Sequence, residues 1–153
     1  MAVVKTELGK EKDKVGIDVE VMYSPSIGGT ANMTFFLKHF VNLIEREYSH
    51  PHMAGSNRSK AVYAVVDNKI VGQITFEILD DFSKTTWIVL SAVDDAYRKR
   101  GIYTILHKYL ETMMLELGSR KLASHVHVDN KERQASCIKV GMKPVYYRME
   151  KEV

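Results

Sequence analysis

The sequence has a single cysteine, Cys137, and only three prolines among its 153 residues. One cysteine excludes an internal disulfide, so a reducing compartment is expected. No apolar run approaches the roughly 20 residues that span a bilayer, and the first residues lack the apolar segment of a signal peptide. These absences predict a cytoplasmic protein without a membrane partner.

The sequence also lacks a strong excess of charge of either sign. Its net charge is +3, and 27% of its residues are charged. A dedicated nucleic-acid binder usually carries a larger basic bias, so nucleic acid is not the expected partner. Hydrophobic residues make up 45% of the chain, which is ordinary for a globular protein and enough for one core.

Local periodicity predicts one domain over residues 15–153, preceded by a polar, aperiodic and disordered lead-in over residues 1–14. Period-two patterns predict six strands, and apolar residues at helical spacing predict three helices. The strands are expected at residues 15–23, 61–66, 70–79, 85–93, 121–128 and 143–153. The first helix is expected to be capped by Thr30 or Asn32 and to run to about Tyr48. The second should follow Gly101 and end at Gly118, and the third should run from Asn130 to Gly141.

The order of these elements predicts the fold class. Three hairpin-connected strands followed by a strand–helix–strand unit give a mixed, mostly antiparallel central sheet flanked by helices, in the α/β (α+β) class. The segment "TTWIVLSAV" (residues 85–93) is almost continuously apolar, which is typical of a central strand.

A cluster of cations, Arg98-Lys99-Arg100, precedes Gly101 where a strand ends and a helix begins. A helix N-terminus carries unpaired N–H groups and the positive end of the helix dipole, so added cations are unfavourable there unless an anion binds among them. Gly101 lets the backbone approach such an anion closely. A solvated basic turn, a nucleic-acid backbone, an acidic partner and a phosphorylated cofactor all fit the cluster alone; the strand–glycine–helix context favours the cofactor phosphate.

The segment "VDDAYRKRGIYTIL" resembles the acyl-CoA-binding signature of the GNAT N-acetyltransferase superfamily, Arg/Gln-x-x-Gly-x-Gly/Ala. Arg98, Gly101 and Tyr103 take its three places, and Tyr103 departs from the usual small residue. The later segment "HVDNKERQASCIKVGMKP" resembles a second strand–helix segment of the superfamily, with Asn130 and Gly141 at matching positions. Together the resemblance covers roughly residues 15–150.

The resemblance implies a GNAT-like acyl-CoA N-acyltransferase fold with acetyl-CoA as co-substrate. It implies that residues 90–93 splay from residues 125–128, that Ala92 and Val93 offer backbone donors to the thioester carbonyl, and that the acceptor amine attacks directly. The backbone of the loop and first helical turn would bind the pyrophosphate, and Asn130 belongs to the same cofactor site. The residues of that loop are Arg98, Lys99, Arg100, Gly101, Ile102, Tyr103 and Thr104.

Three residues are candidates for the general base. Many members of the superfamily place a carboxylate on the central strand, but residues 85–93 contain none. Glu77 on the neighbouring strand is the best carboxylate candidate, and His125 and His127 lie on one side of their strand beside the implied splay. Each residue also fits a purely structural or solvated position. Two histidines without a third ligand predict no metal site.

The general acid also has more than one candidate. The superfamily usually has a tyrosine four residues before the glycine that ends the last helix, and Cys137 occupies that position. A thiol can protonate a leaving thiolate, because their pKa values are similar, but a lone cysteine on an apolar face is also an ordinary core residue. Tyr103, Tyr146 and Tyr147 are the alternatives.

The acceptor is expected to be an amine. The segment His50–Met53 follows the first helix, where the superfamily often builds part of its acceptor site. Residues 142–153 leave room for one strand after Gly141, which predicts an open cleft or one completed by a second subunit in a homodimer. An open cleft favours a protein, peptide or other bulky amine. The alternative function is a catalytically silent CoA-binding or protein-interaction module of the same fold.

Overall fold

The computed structural model describes residues 6–48 and 58–153, and its six strands form one sheet in chain order. Every neighbouring pair of strands is antiparallel except β5 and β6, which are parallel. This confirms the expected mixed, mostly antiparallel sheet. The strands are β1 (Thr6–Lys12), β2 (Asp18–Ser24), β3 (Lys60–Val66), β4 (Lys69–Ile78), β5 (Thr85–Val93) and β6 (Lys121–Ser124); the helices are α1 (Ala31–Glu45), α2 (Ile102–Glu116) and α3 (Lys131–Lys139).

The two faces of the sheet carry separate cores. Helix α2 packs on β3, β4 and β5, and its Ile102, Leu106 and Leu110 are buried against alternate residues of those strands. Helix α1 packs on β4 and β5 at the opposite face, where Phe36 and Phe40 contribute to the second core. Because strand side chains alternate between faces, the period-two pattern of β3 and β4 supplies both cores.

The helix boundaries follow the expected capping chemistry. Thr30 is the N-cap of α1, and its hydroxyl oxygen accepts a hydrogen bond from the Asn32 N–H at 3.2 Å. Helix α1 ends at Glu45, slightly before the predicted Tyr48, and Glu47 adopts φ 59° in the following turn. Gly118, with φ 85°, follows the last residues of α2 as expected for a glycine after a helix.

The lead-in prediction is wrong for residues 6–12, which form strand β1 against β2. Its charged residues suggested a disordered segment, but an edge strand keeps such residues on its solvent side and gains backbone hydrogen bonds from its neighbour. Leu8 packs on the core, and a side chain at Gly9 would collide with the Tyr109 hydroxyl. Tertiary pairing therefore decides the conformation of this segment, and residues 1–5 lie outside the described ranges.

The prediction for the last strand is also wrong, and β6 is shorter than expected. Residues 143–153 form no strand, and the side chains of Tyr146 and Tyr147 are 92% and 91% exposed. Strand β6 ends at Ser124 rather than at residue 128, because the chain then turns to start α3. An alternating pattern favours a strand locally, but a strand forms only beside a partner that supplies hydrogen bonds.

Candidate active site between β5 and β6

The outstanding feature of the sheet is a gap at the carboxyl ends of β5 and β6. The parallel ladder joins Thr85–Ile88 to Lys121–Ser124 and then stops. The pairing of β4 with β5 shifts between Thr75 and Phe76, so Val89 is an extra residue on β5 at the same level. A bulge of this kind bends a strand, and residues 89–93 of β5 have no ladder partner on the β6 side.

The gap exposes a backbone donor of β5. The Asp94 N–H donates to the Val71 carbonyl at 2.8 Å on the β4 side. Successive N–H groups of a strand point to opposite edges, so the Val93 N–H is directed into the gap and the Ala92 N–H toward β4. Of the two donors predicted from the sequence, Val93 is therefore the one on the open side.

The loop after β5 holds the expected free N–H groups. Gly101 is the N-cap of α2 with φ 81°, and Lys99 also has a positive φ of 63°. The first hydrogen bond of the helix joins the Ile105 N–H to the Gly101 carbonyl at 3.1 Å. The N–H groups of Ile102, Tyr103 and Thr104 precede it and have no acceptor within the helix, which is the arrangement that binds phosphate oxygens.

The three cations of the loop, Arg98, Lys99 and Arg100, have different ionic contacts. Arg98 forms ion pairs with Glu132 of α3 at 3.3 Å and with Asp95 at 3.7 Å. Arg100 lies 3.8 Å from the buried carboxylate of Asp13. Lys99 is exposed, and no ion pair joins it to another residue of the described ranges. The loop thus contacts both α3 and the turn between β1 and β2.

Tyr103, which departs from the family signature, does not crowd the loop. Its ring packs toward α3, where the Arg133 guanidinium lies 5.0 Å from the ring centroid, and toward His107, with ring centroids 5.9 Å apart. Burial raises the pKa of the Tyr103 hydroxyl, and the charge of Arg133 opposes that effect. The large side chain fills the space between α2 and α3.

Cys137 belongs to the same group of side chains. It is buried on α3, and its burial raises the pKa of the thiol while Arg133 acts in the opposite direction. The pKa of Tyr103 is in turn raised slightly by Cys137, so the two groups are close enough to interact. A thiol in this environment stays protonated at neutral pH.

The α1 face carries two of the three predicted base candidates. Glu77 of β4 pairs directly with Trp87 of β5, and the His125 ring meets the Trp87 indole edge to face at 4.8 Å between centroids. The Ser59 hydroxyl donates to a Glu77 carboxylate oxygen at 3.1 Å. Glu77 of β4, Trp87 of β5 and His125, which follows the end of β6, therefore form a row beside the gap.

His127 and Asn130 lie at the turn that leads into α3. The His127 ring stacks on Tyr48 with centroids 5.3 Å apart, and its Nδ1 accepts from the Asp129 N–H at 3.1 Å. The Asn130 side chain caps α3 by accepting from the Arg133 N–H at 3.2 Å. Because it stacks on Tyr48, His127 does not join the row of Glu77, Trp87 and His125. The side-chain oxygen of Asn130 is occupied by the hydrogen bond that caps α3.

Several residues at the site gave no signal in the sequence. Glu132 and Arg133 come to the loop from α3, Asp13 and Lys14 from the first turn, and no local motif marks any of them. Asp94 accepts from His39 Nε2 at 2.9 Å and from Lys38 Nζ at 3.1 Å, which ties α1 to the end of β5. The predicted acceptor segment His50–Met53 lies outside the described residues.

Two further features of the described ranges bear on the chemistry. Residues 6–48 and 58–153 contain no group of three His, Cys, Asp or Glu side chains that could hold a metal ion. In the same ranges, every helix is too short or too polar to span a bilayer.

A loop of free N–H groups at a helix start, next to two diverging parallel strands, agrees with a known family. Residues 32–142 match the family model described as acetyltransferase (GNAT) family. The chain belongs to the GNAT acetyltransferase family. The match includes the whole gap, the phosphate loop and helix α3, but it excludes β1, β2 and the turn between them. No curated protein matches this chain in sequence.

Solved structures share the GNAT fold at low sequence identity. An aminoglycoside acetyltransferase from an uncultured soil metagenomic sample, in complex with sisomicin, is 16% identical with a TM-score of 0.65, over 88% of this chain and 97% of that one. Ribosomal-protein-alanine N-acetyltransferase from Brucella melitensis biovar Abortus 2308 is 15% identical with a TM-score of 0.65, over 88% and 99%. An aminoglycoside N-acetyltransferase in complex with CoA is 18% identical with a TM-score of 0.54, over 76% and 95%. The TM-scores establish a common fold.

Proposed function

We propose that this GNAT protein is an acetyl-CoA-dependent N-acetyltransferase that moves an acetyl group to an amine by direct attack in a ternary complex. The observation that carries the proposal is the gap between β5 and β6, which opens beside the free N–H groups of Ile102, Tyr103 and Thr104. A ligand with an extended chain and a phosphate at one end could place the chain in the gap and the phosphate at the adjoining loop. The acetyl thioester would supply an activated acyl group with a thiol leaving group.

The loop would hold the cofactor pyrophosphate through backbone donors, with Arg98, Lys99 and Arg100 supplying charge. The positive φ values at Lys99 and Gly101 give the loop the tight backbone turns that can direct N–H groups at an anion. Asn130, whose side-chain oxygen caps α3, would contribute through its amide nitrogen. The Val93 N–H would stabilise negative charge on the acyl oxygen, since a fixed donor in a sheltered site costs no reorganisation.

Glu77 is our leading candidate for the base that removes a proton from the acceptor amine. It is half-buried, on the α1 face of the sheet, and in line with Trp87 and His125. His125 and His127 are the alternatives, and the stacking of His127 on Tyr48 makes it the weaker one. Cys137 is our candidate for the acid, because its raised pKa keeps a proton on the thiol.

The acceptor is proposed to be a protein, a peptide or another bulky amine. Residues 143–153 form no strand, so the outer edge of β6 has no strand neighbour in the described chain. The gap is therefore open on the side of that edge. Relatives of the same fold include enzymes named for aminoglycosides and for a ribosomal-protein alanine.

The alternative is a CoA-binding module without turnover, which the absence of a carboxylate on β5 and the cysteine at position 137 favour. Calorimetric titration with acetyl-CoA, followed by a thiol-release assay with peptides, aminoglycosides and polyamines, separates the two. The transferase predicts binding and amine-dependent thiol release. Binding without release for any amine supports the silent module, and failure to bind contradicts both functions.

A further inference from the structure

Helices α2 and α3 enclose a group of polar side chains, most of which have no part in the proposed reaction. Tyr103, His107 and Glu111 are spaced four residues apart on α2, so they form one stripe along the same face of the helix. Arg133 and Cys137 have the same spacing on α3. The two stripes face each other, because the Arg133 guanidinium lies 5.0 Å from the centroid of the Tyr103 ring.

Three polar atoms of this group are buried without a hydrogen-bond partner in the described ranges. They are the Tyr103 hydroxyl oxygen, His107 Nδ1 and Arg133 Nη2. The His107 side chain is only 5% exposed, and the centroids of the Tyr103 and His107 rings are 5.9 Å apart. Buried polar atoms without partners are rare in proteins, and they mark either a catalytic role or an ordered water that bridges them.

The stripe on α2 leads from the proposed acid to solvent. At its inner end Tyr103 packs toward α3, where its hydroxyl interacts with Cys137. At its outer end the Glu111 side chain is 56% exposed, and its carboxylate lies 3.1 Å from His107 Nε2. His107 therefore has one ring nitrogen on an exposed carboxylate and the other buried without a partner. Such a ring can take up a proton at one nitrogen and release one from the other.

The proposed reaction consumes the proton of a buried thiol. When the C–S bond of acetyl-CoA breaks, the electron pair goes to the CoA sulfur, which takes the proton of Cys137. The Cys137 thiolate that remains is buried, and a buried charge is strongly disfavoured, although Arg133 offsets part of that cost. A new proton must reach this sulfur before the next acetyl group is transferred.

We propose that a proton relay along α2, formed by Tyr103, His107 and Glu111, returns a proton from solvent to the proposed acid after each turnover. The inference rests on the proposed function and on Cys137 as its acid. The Tyr103 hydroxyl proton passes to the Cys137 thiolate. The Nδ1 proton of His107 replaces it through one bridging water, while Nε2 takes a proton from Glu111, which exchanges protons with solvent. The relay also gives a role to the tyrosine that replaces the usual small residue at position 103.

The relay predicts a difference between the first turnover and those that follow. Stopped-flow thiol release from acetyl-CoA is measured with spermidine, an alanine-terminated peptide and an aminoglycoside, and the fastest acceptor is used. His107→Gln should release about one CoA thiol per chain at the wild-type rate, because Cys137 starts protonated, and then slow to about one tenth of the wild-type steady rate. Glu111→Gln should show the same burst and a smaller loss of about threefold, because water can replace an exposed carboxylate.

Two further variants separate the relay from a structural role. A structural role of His107 would slow the first turnover and the later ones together. His107→Ala should keep the burst, and added imidazole should restore its steady rate. Glu116→Gln is the matched control for Glu111→Gln, because it removes the same charge from an exposed residue of α2 outside the stripe. It should leave both phases unchanged.

Three results would overturn the relay and leave the proposed function standing. One is a proportional loss in both phases of His107→Gln, and another is a wild-type steady rate in both His107→Gln and Glu111→Gln. The third is full activity of Cys137→Ala, because the relay would then have no acid to serve. Absence of thiol release by the wild type with every amine would overturn the transferase function and the relay with it.

Discussion

The Trp87 indole and the His125 imidazole meet at an interplanar angle of 84°, with ring centroids 4.8 Å apart. Trp87 is paired with Glu77 on its other side. This contact therefore brings a carboxylate and an imidazole, 48 positions apart in the sequence (125 − 77), to the same side of the sheet beside the gap.

The row formed by Glu77, Trp87 and His125 makes a prediction about the general base. Glu77→Gln should lower kcat by about 100-fold, because a positioned base contributes that much or more, and it should leave KM for acetyl-CoA unchanged. Steady-state kinetics over a pH series is the measurement. If Glu77→Gln, His125→Ala and His127→Ala all keep full activity and the wild-type profile, none of the three is the base.

The phosphate loop makes a prediction about binding. Gly101→Asp adds a Cβ and a negative charge where φ is 81°, and together with Arg98→Ala it should abolish CoA binding in a calorimetric titration. The strain of a left-handed residue should cost about 1–2 kcal/mol of stability.

Gly118→Asp is the matched control for Gly101→Asp, because Gly118 has φ 85° at the far end of the same helix. Its thermal midpoint should fall because of the same left-handed strain, while CoA binding persists. If Gly101→Asp with Arg98→Ala binds CoA with wild-type affinity, the loop is not the phosphate site.

Cys137 makes a prediction about the general acid. An acid must be protonated, so activity should fall only as pH rises through its pKa, and burial raises that pKa above the usual 9.0 of a thiol. The wild type should therefore stay active through about pH 9. Cys137→Ala should lower kcat without affecting KM for acetyl-CoA.

Tyr103→Phe is the companion variant, because the Tyr103 hydroxyl is the alternative proton donor that interacts with Cys137. A loss of kcat in Tyr103→Phe alone, with Cys137→Ala fully active, would move the acid role to the tyrosine. Full activity of both variants, with an unchanged basic limb, would mean that the leaving thiolate departs without an acid from this cluster.

His107 makes a prediction about stability and pH. It is buried on α2, and this burial lowers its pKa below 6.5, although Glu111 at 3.1 Å opposes the shift. Below pH 6.5 the unfolded chain therefore binds more protons at this residue than the folded chain, so the free energy of unfolding falls as pH falls. Urea denaturation between pH 7.5 and about pH 5 should show this loss.

His107→Gln should flatten the fall in stability, because it removes the titrating group while keeping a polar side chain. His125→Ala, which removes an exposed histidine, should leave the fall unchanged. An identical pH dependence in wild type and His107→Gln would show that other groups cause it.

Local sequence signals predicted most of the helices and strands. They did not predict which strand, if any, pairs with residues 6–12 or with residues 143–153. Thr30, Gly101 and Gly118 mark helix ends through their own backbone and hydrogen-bonding preferences, and the structure confirms each. The segment of residues 6–12 is polar and became a strand because β2 offered a free edge. Residues 143–153 alternate in a strand-like way and form no strand beside β6.

The sequence by itself determined the order of elements from β2 to α3 and the helix start at Gly101, because these depend on spacing of two or 3.6 residues and on caps. Only the tertiary structure decided what surrounds that helix start. It brought Asp13 and Lys14 to the loop from one side and Glu132, Arg133 and Cys137 from the other. Contacts between residues so far apart in the chain follow from the packing of α3 and of the first turn against α2, which no local pattern encodes.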